Sequence, residues 1–205
     1  MKYVYFPFGV ACLFGVATIG LKILNKLPKI SIATKFLTTF SIFLAVLTYL
    51  KLNQLNELSI LMIAFGLCTG AIGDLLLEWE KSFILGMFSF FLGHIFYIFG
   101  FYIMGAEPSW SFLLAMLTLG FVYFTFIRKS LGKQKIPVLG YVIVISLMVV
   151  FSASTDSSAF PGAVLFFISD MFLSYDKYVK KIPNRDFIIL STYFTGQFLI
   201  AFSVI

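Results

Sequence analysis

The chain has 205 residues, 60% of them hydrophobic and 12% charged, with mean hydropathy +1.02 and a formal net charge of +6. Such a composition excludes an ordinary water-soluble fold, whose surface would have to be largely apolar. The excess of positive charge does not indicate a nucleic-acid partner, because the basic residues cluster in short gaps between apolar runs, where they set membrane topology.

Eight apolar runs follow in order, at 4–24, 32–50, 58–78, 83–104, 110–128, 136–153, 159–175 and 186–204. Each is near the ~20 residues that a helix needs to cross a bilayer. They predict an all-α polytopic membrane bundle of about eight transmembrane helices, forming a single transmembrane domain over 1–205. Met1-Lys2 and the apolar run behind it lack a small-residue cleavage site and read as a retained first helix. Cys12 and Cys68 lie inside apolar runs without metal-ligand spacing and read as small apolar filler. The six prolines, Pro7, Pro28, Pro108, Pro137, Pro161 and Pro183, are expected in gaps or in the first turn of a helix, where a missing N–H costs nothing.

Lys22, Lys26 and Lys29 flank the first gap, Arg128, Lys129, Lys133 and Lys135 the fifth, and Lys177, Lys180, Lys181 and Arg185 fill the seventh. Odd-numbered gaps are therefore expected on the cytoplasmic side and both termini opposite, with Lys2 and Lys51 as exceptions. The setting implied is a bacterial cytoplasmic membrane.

Within this frame the segment 73–97 carries an aspartate, Asp74, and the sole histidine, His94, in two consecutive spans. Lipid penalises such groups unless they face protein or water. A central aspartate costs about 2.5 to 3.5 kcal/mol to insert, against about 0.3 to 0.6 returned by each Leu, Ile, Phe or Val. A second copy lies downstream. With Asp170 laid on Asp74, Ile168-Ser169-Asp170-Met171-Phe172-Leu173 covers Ile72-Gly73-Asp74-Leu75-Leu76-Leu77, Asp176-Lys177 covers Glu80-Lys81, Tyr193 covers Tyr97 and Gly196 covers Gly100. Either the match is chance among apolar sequences, or it marks a four-plus-four internal repeat in which each half gives one aspartate-bearing hairpin to a shared centre. From the ~1.5 Å helical rise, Asp74 is expected about 6 Å, and Asp170 about 9 Å, from the inner ends of their spans.

Asp74 and Asp170 are thus the candidate catalytic residues. Tyr97, Tyr141, Tyr193 and Gln197 can donate to a buried carboxylate or a substrate oxygen, and His94 is either a hydrogen-bonded helix contact or an acid. Lys35 either snorkels to the interface, binds an anionic headgroup or pairs with an aspartate. Glu78, Glu80 and Asp176 read as end charges at the interface, and the 27 phenylalanines as lipid-facing bulk. Gly66, Gly70 and Gly73 around Asp74, with Gly93 and Gly100 in the next span, allow close helix approach. With one histidine, a three-histidine hydrolytic zinc site is impossible in this chain. No metal or cofactor is expected.

Gly73-Asp74 with Leu77, Gly93-His94 with Tyr97, Gly162-Ala163-Val164-Leu165-Phe166 leading to Ser169-Asp170, and Tyr193 with Gln197 together resemble the YhhN-like family of integral membrane proteins, which includes the animal lysoplasmalogenases. The resemblance runs from Lys35 to Gln197, with one departure, Phe36 where the family pattern would place a proline. It implies hydrolysis of the vinyl ether bond of lysoplasmalogens to a fatty aldehyde and a glycerophospho-base. The expected partners are then a lysophospholipid substrate and membrane lipids, with no obligate protein partner.

That reaction suits two buried acids. Proton transfer to the vinyl carbon creates an oxocarbenium ion, which one carboxyl can generate and an ionised partner can stabilise, as in paired-carboxylate glycosidases. The alternative from another class is a small proton-coupled transporter or lipid translocator, because internal repeats and buried carboxylates also mark carriers.

Overall fold

The computed structural model describes residues 2–54, 57–155 and 157–205, without the side chains of Lys2 and Val4; Met1, on which the retained-helix reading partly rests, lies outside the described residues. Among those residues the chain forms eight α-helices and no strand. They are α1 (Lys2–Ile23), α2 (Pro28–Leu52), α3 (Leu58–Leu76), α4 (Phe83–Ile103), α5 (Trp110–Ile127), α6 (Lys135–Ser152), α7 (Ala159–Tyr178) and α8 (Arg185–Phe202). The predicted runs map onto them one to one. The differences sit at the ends, where backbone geometry rather than hydropathy decides. Pro28 opens α2 at the first helical position, with its fixed φ already helical, so α2 begins ahead of its apolar run. α3 stops at Leu76, which puts Glu78 beyond the helix, while α7 continues to Tyr178. Pro7 is the exception among the prolines, because α1 begins at Lys2 and holds it inside.

Six of the helices are long and apolar enough to cross a membrane by length and composition. The other two, α7 and α8, carry Asp170, Asp176 and Lys177, and Arg185 and Asp186. The protein is a polytopic helical membrane bundle. Successive neighbours α1 to α4 pack side by side, α4 then packs on α6, α6 on α7 and α7 on α8, and α8 returns to touch α1, α2 and α3. α5 lies outside this ring, chiefly against α6.

Close helix approach at small residues shapes both aspartate-bearing hairpins. A Cβ on Gly66 would stand 2.3 Å from the Tyr97 ring, so the bare backbone of α3 is the seat of that ring. In the α7–α8 hairpin, a Cβ on Gly162 would stand 2.8 Å from the Gly196 carbonyl oxygen, and the reverse substitution meets Gly162 at the same distance. Without a hydrophobic force between helices in lipid, such contacts supply the packing.

Candidate active site

The C-terminal ends of α1, α3 and α7 and the N-terminal ends of α2, α4 and α8 surround one cavity of about 300 Å³, lined among others by Lys22, Lys35, Asp74, Phe90, Asp170, Lys177, Lys181 and Tyr193. All of these elements meet at one end of the bundle, the end where the basic gaps cluster. Both aspartates line this cavity.

Asp74 is 2% exposed. Its Oδ2 accepts hydrogen bonds from Thr39 Oγ1 at 2.6 Å and Tyr193 OH at 2.9 Å, and its Oδ1 lies 3.6 Å from Lys35 Nζ. The same ammonium lies 3.4 Å from the Asp74 main-chain oxygen, in the last turn of α3, where a cation is favoured by the helix dipole. Lys35 also pairs with Glu78 Oε1 at 3.1 Å, and Glu78 Oε2 pairs with Lys22 at 2.7 Å. The pairing with an aspartate, one of the three options for Lys35, is present. Glu78 is not a free end charge, because the chain leaving α3 folds it back between two lysines. Burial alone would push the Glu78 carboxyl up, but Lys35 and Lys22 outweigh it and hold that carboxyl below its ordinary value.

Asp170 has a different set of partners. Tyr141 OH donates to its Oδ2, and His94 Nε2 lies 3.8 Å from that oxygen and 2.9 Å from Tyr141 OH. With Tyr141 donating to the carboxylate, its oxygen is left to accept from His94 Nε2–H, and Nδ1 then faces the Met148 sulfur at 3.2 Å. His94 and Met148 are fully enclosed. The Asp170 side chain keeps 16% exposure into the cavity.

Tyr97 is not a carboxylate donor. Its OH donates to Gln197 Oε1 at 2.5 Å, and Gln197 Nε2 in turn donates to Tyr193 OH at 3.3 Å. Tyr97 and Gln197 thus hold Tyr193 on Asp74 from behind. The phenylalanines are not all lipid-facing. Phe166 lies edge-on to His94 (ring centroids 4.8 Å) and to Tyr193 (5.2 Å), so one ring separates the two carboxylate networks. Phe90 lies 6.0 Å from Phe166 and 5.8 Å from Tyr193, seated where Gly73 lacks a side chain.

Asp176 is not a surface end charge either. It is 3% exposed and accepts from Lys181 Nζ at 2.8 Å, Ile182 N at 3.0 Å and Arg185 Nε at 2.9 Å, so it pins the loop between α7 and α8. Sequence reasoning also missed Thr39. The signal was present: Thr39 stands four residues after Lys35, on the same face of α2.

Among the described residues, every buried side-chain nitrogen and oxygen has a partner, and no group of three or more metal-ligating side chains occurs.

The profile of the YhhN family matches residues 30–204. The chain belongs to the YhhN family. Its curated relatives include the lysoplasmalogenase TMEM86B of Mus musculus, 31% identical over 140 residues, which cover 68% of this chain and 61% of that protein. The lysoplasmalogenase TMEM86A of Bos taurus is 30% identical over 192 residues, covering 86% of this chain and 78% of that protein. This YhhN chain therefore spans about three-fifths of the length of the TMEM86B relatives it matches. No solved structure matches it.

Proposed function

We propose that this YhhN protein, working as a single transmembrane domain, is a hydrolase that cleaves the vinyl ether bond of lysoplasmalogen-type lysophospholipids to a fatty aldehyde and a glycerophospho-base. The observation that carries the reading is the placement of Asp74 and Asp170 on one cavity, with cations at its mouth and an apolar chamber of about 60 Å³ meeting it at Asp170. The naming of the curated relatives as lysoplasmalogenases agrees with it.

The donor sets divide the roles. Asp74 accepts from two hydroxyl donors and lies beside an ammonium, and on these contacts we assign it the anionic role. Asp170 meets only a phenol and an imidazole and sits at the edge of the apolar chamber, so it is the group that presents a proton to carbon. The proton goes to the vinyl carbon remote from oxygen, and the C=C electron pair forms that C–H bond. The Asp74 anion, enclosed in the wall of the same cavity, stabilises the resulting oxocarbenium ion through its field rather than by contact. Water adds to the cationic carbon and returns a proton to Asp170, and the hemiacetal collapses to aldehyde and alcohol. Tyr141 and His94 orient Asp170. Lys22 and Lys35 are held by Glu78 and Asp74 and Lys181 by Asp176, so the substrate phosphate falls to the cavity-lining Lys177, whose one carboxylate contact is to the exposed Glu80 at 3.5 Å. Lys177 also covers the Phe83 ring at 4.8 Å. The mouth faces the cytoplasm if the basic gaps follow the positive-inside rule.

The test is aldehyde release by the purified protein in D₂O from a lysoplasmalogen. One deuterium on the carbon next to the aldehyde is expected. No aldehyde, or aldehyde without that deuterium, contradicts the reading, and proton flux across vesicles without aldehyde supports a carrier instead.

A further inference from the structure

The lipid hydrolase reading, on which this inference rests, leaves the hydrocarbon tail without a place. The apolar chamber beside Asp170 has a volume of about 60 Å³. So small a space does not hold a long chain. The tail must leave the chamber on the side away from the polar cavity.

There the chamber shares Met87 and Tyr141 with an outer groove of about 400 Å³ between the first turns of α4 and α6. The groove walls are apolar, with Leu85, Phe88 and Ile136 exposed at 60%, 55% and 84%. Gly140 lies along it, and a Cβ there would have no neighbouring atom within 4 Å. The second large apolar groove, about 320 Å³ and lined by Ala11, Gly15, Thr38 and Phe194 among others, shares no lining residue with the cavity or the chamber.

We infer that the groove between α4 and α6 binds the single alkenyl tail of the substrate and is a lateral portal to the bilayer. The tail passes between Met87 and Tyr141, so that the vinyl ether stops at Asp170 with the phosphate beyond it at the cavity mouth. Met87, unbranched and adaptable, suits a chain that slides past it. The Tyr141 hydroxyl is turned to Asp170 and His94, which leaves its ring as the apolar face toward the groove. The aldehyde, an apolar product, leaves by the same route into lipid, while the glycerophospho-base leaves by the polar mouth.

The experiment uses the full chain in nanodiscs with a lysophospholipid that carries a saturated, uncleavable ether and a diazirine at the end of its chain. Irradiation is expected to label residues 84–91 and 136–141. Gly140→Phe should lower that labelling at least fivefold, while Gly140→Ala leaves more than half of it, with melting temperatures confirming that both variants fold. Labelling confined to the α1–α8 groove, no labelling above a no-protein background, or labelling undiminished in Gly140→Phe overturns the portal. Because the probe is not hydrolysed, these outcomes read the groove alone, and aldehyde release in parallel reads the hydrolase proposal alone.

Discussion

The two carboxylates are placed in reverse of what depth suggests. Asp74 stands two residues from the end of α3, about 3 Å along the axis, and is sealed; Asp170 stands eight residues from the end of α7, about 12 Å in, and touches open space. Depth in the bilayer therefore does not set solvation in this protein. Both acids line the cavity, but hydrogen-bonded side chains enclose Asp74 in its wall while the Asp170 side chain keeps 16% exposure. The first acid is held by charge and the second by neutral donors, a division of labour that two equivalent hairpins do not by themselves produce.

The strongest way to break this contrast is to remove the charge on one side. Lys35→Met leaves Asp74 and Glu78 without their shared cation and should cost about 3 to 5 kcal/mol, the usual effect of stripping one partner from a buried pair. Asp170→Asn, which changes a group with neutral partners, should cost no more than about 1 kcal/mol. Thermal melting in detergent compares them, and equal losses would end the distinction. Next in size, Gly162→Ala drives one backbone against another in the hairpin that carries Asp170 and should cost about 1 to 3 kcal/mol; the same melts measure it.

The tyrosines sharpen the contrast further. Tyr193→Phe takes a donor from the sealed acid and a partner from Gln197, so about 1 to 2 kcal/mol of stability should go. Tyr141→Phe should leave the melt within about 1 kcal/mol but lower kcat by about tenfold or more, since it orients the reacting acid. The smallest effect is in acid. The Glu78 carboxyl is held below its ordinary value of 4.5, so its contribution is fully present above that pH and is lost as pH falls through the folded value. In Lys22→Met the folded value rises toward 4.5, so that loss should be smaller and complete at a higher pH, read as the pH dependence of the melting temperature.

The helices were legible in the sequence because each apolar run is long enough to span and its prolines, Pro7 apart, fall between runs or in a first helical turn; only the ends moved, as at Pro28 and Leu76. Asp74, Asp170 and their tyrosines were legible because lipid makes such residues costly. What each one touches was not. Tyr97 and Tyr193 align when Asp170 is laid on Asp74 in sequence, yet one donates to Gln197 and the other to Asp74. Glu78 and Asp176 look like end charges until the chain reversals after them are known. Phe166 looks like any other phenylalanine until His94 and Tyr193 are seen on either side of it. Pairing across helices depends on rotation and crossing, which composition does not encode.

The central claim is that the two acids act on one bond, and aldehyde release by Asp74→Asn, Asp170→Asn and the double variant tests it most directly. Each single change should lower kcat by about 10² to 10⁴-fold, and the double should cost little more than the worse single, as residues that act as a unit do. A single variant that keeps the wild-type rate, or costs that multiply in full, would contradict the account.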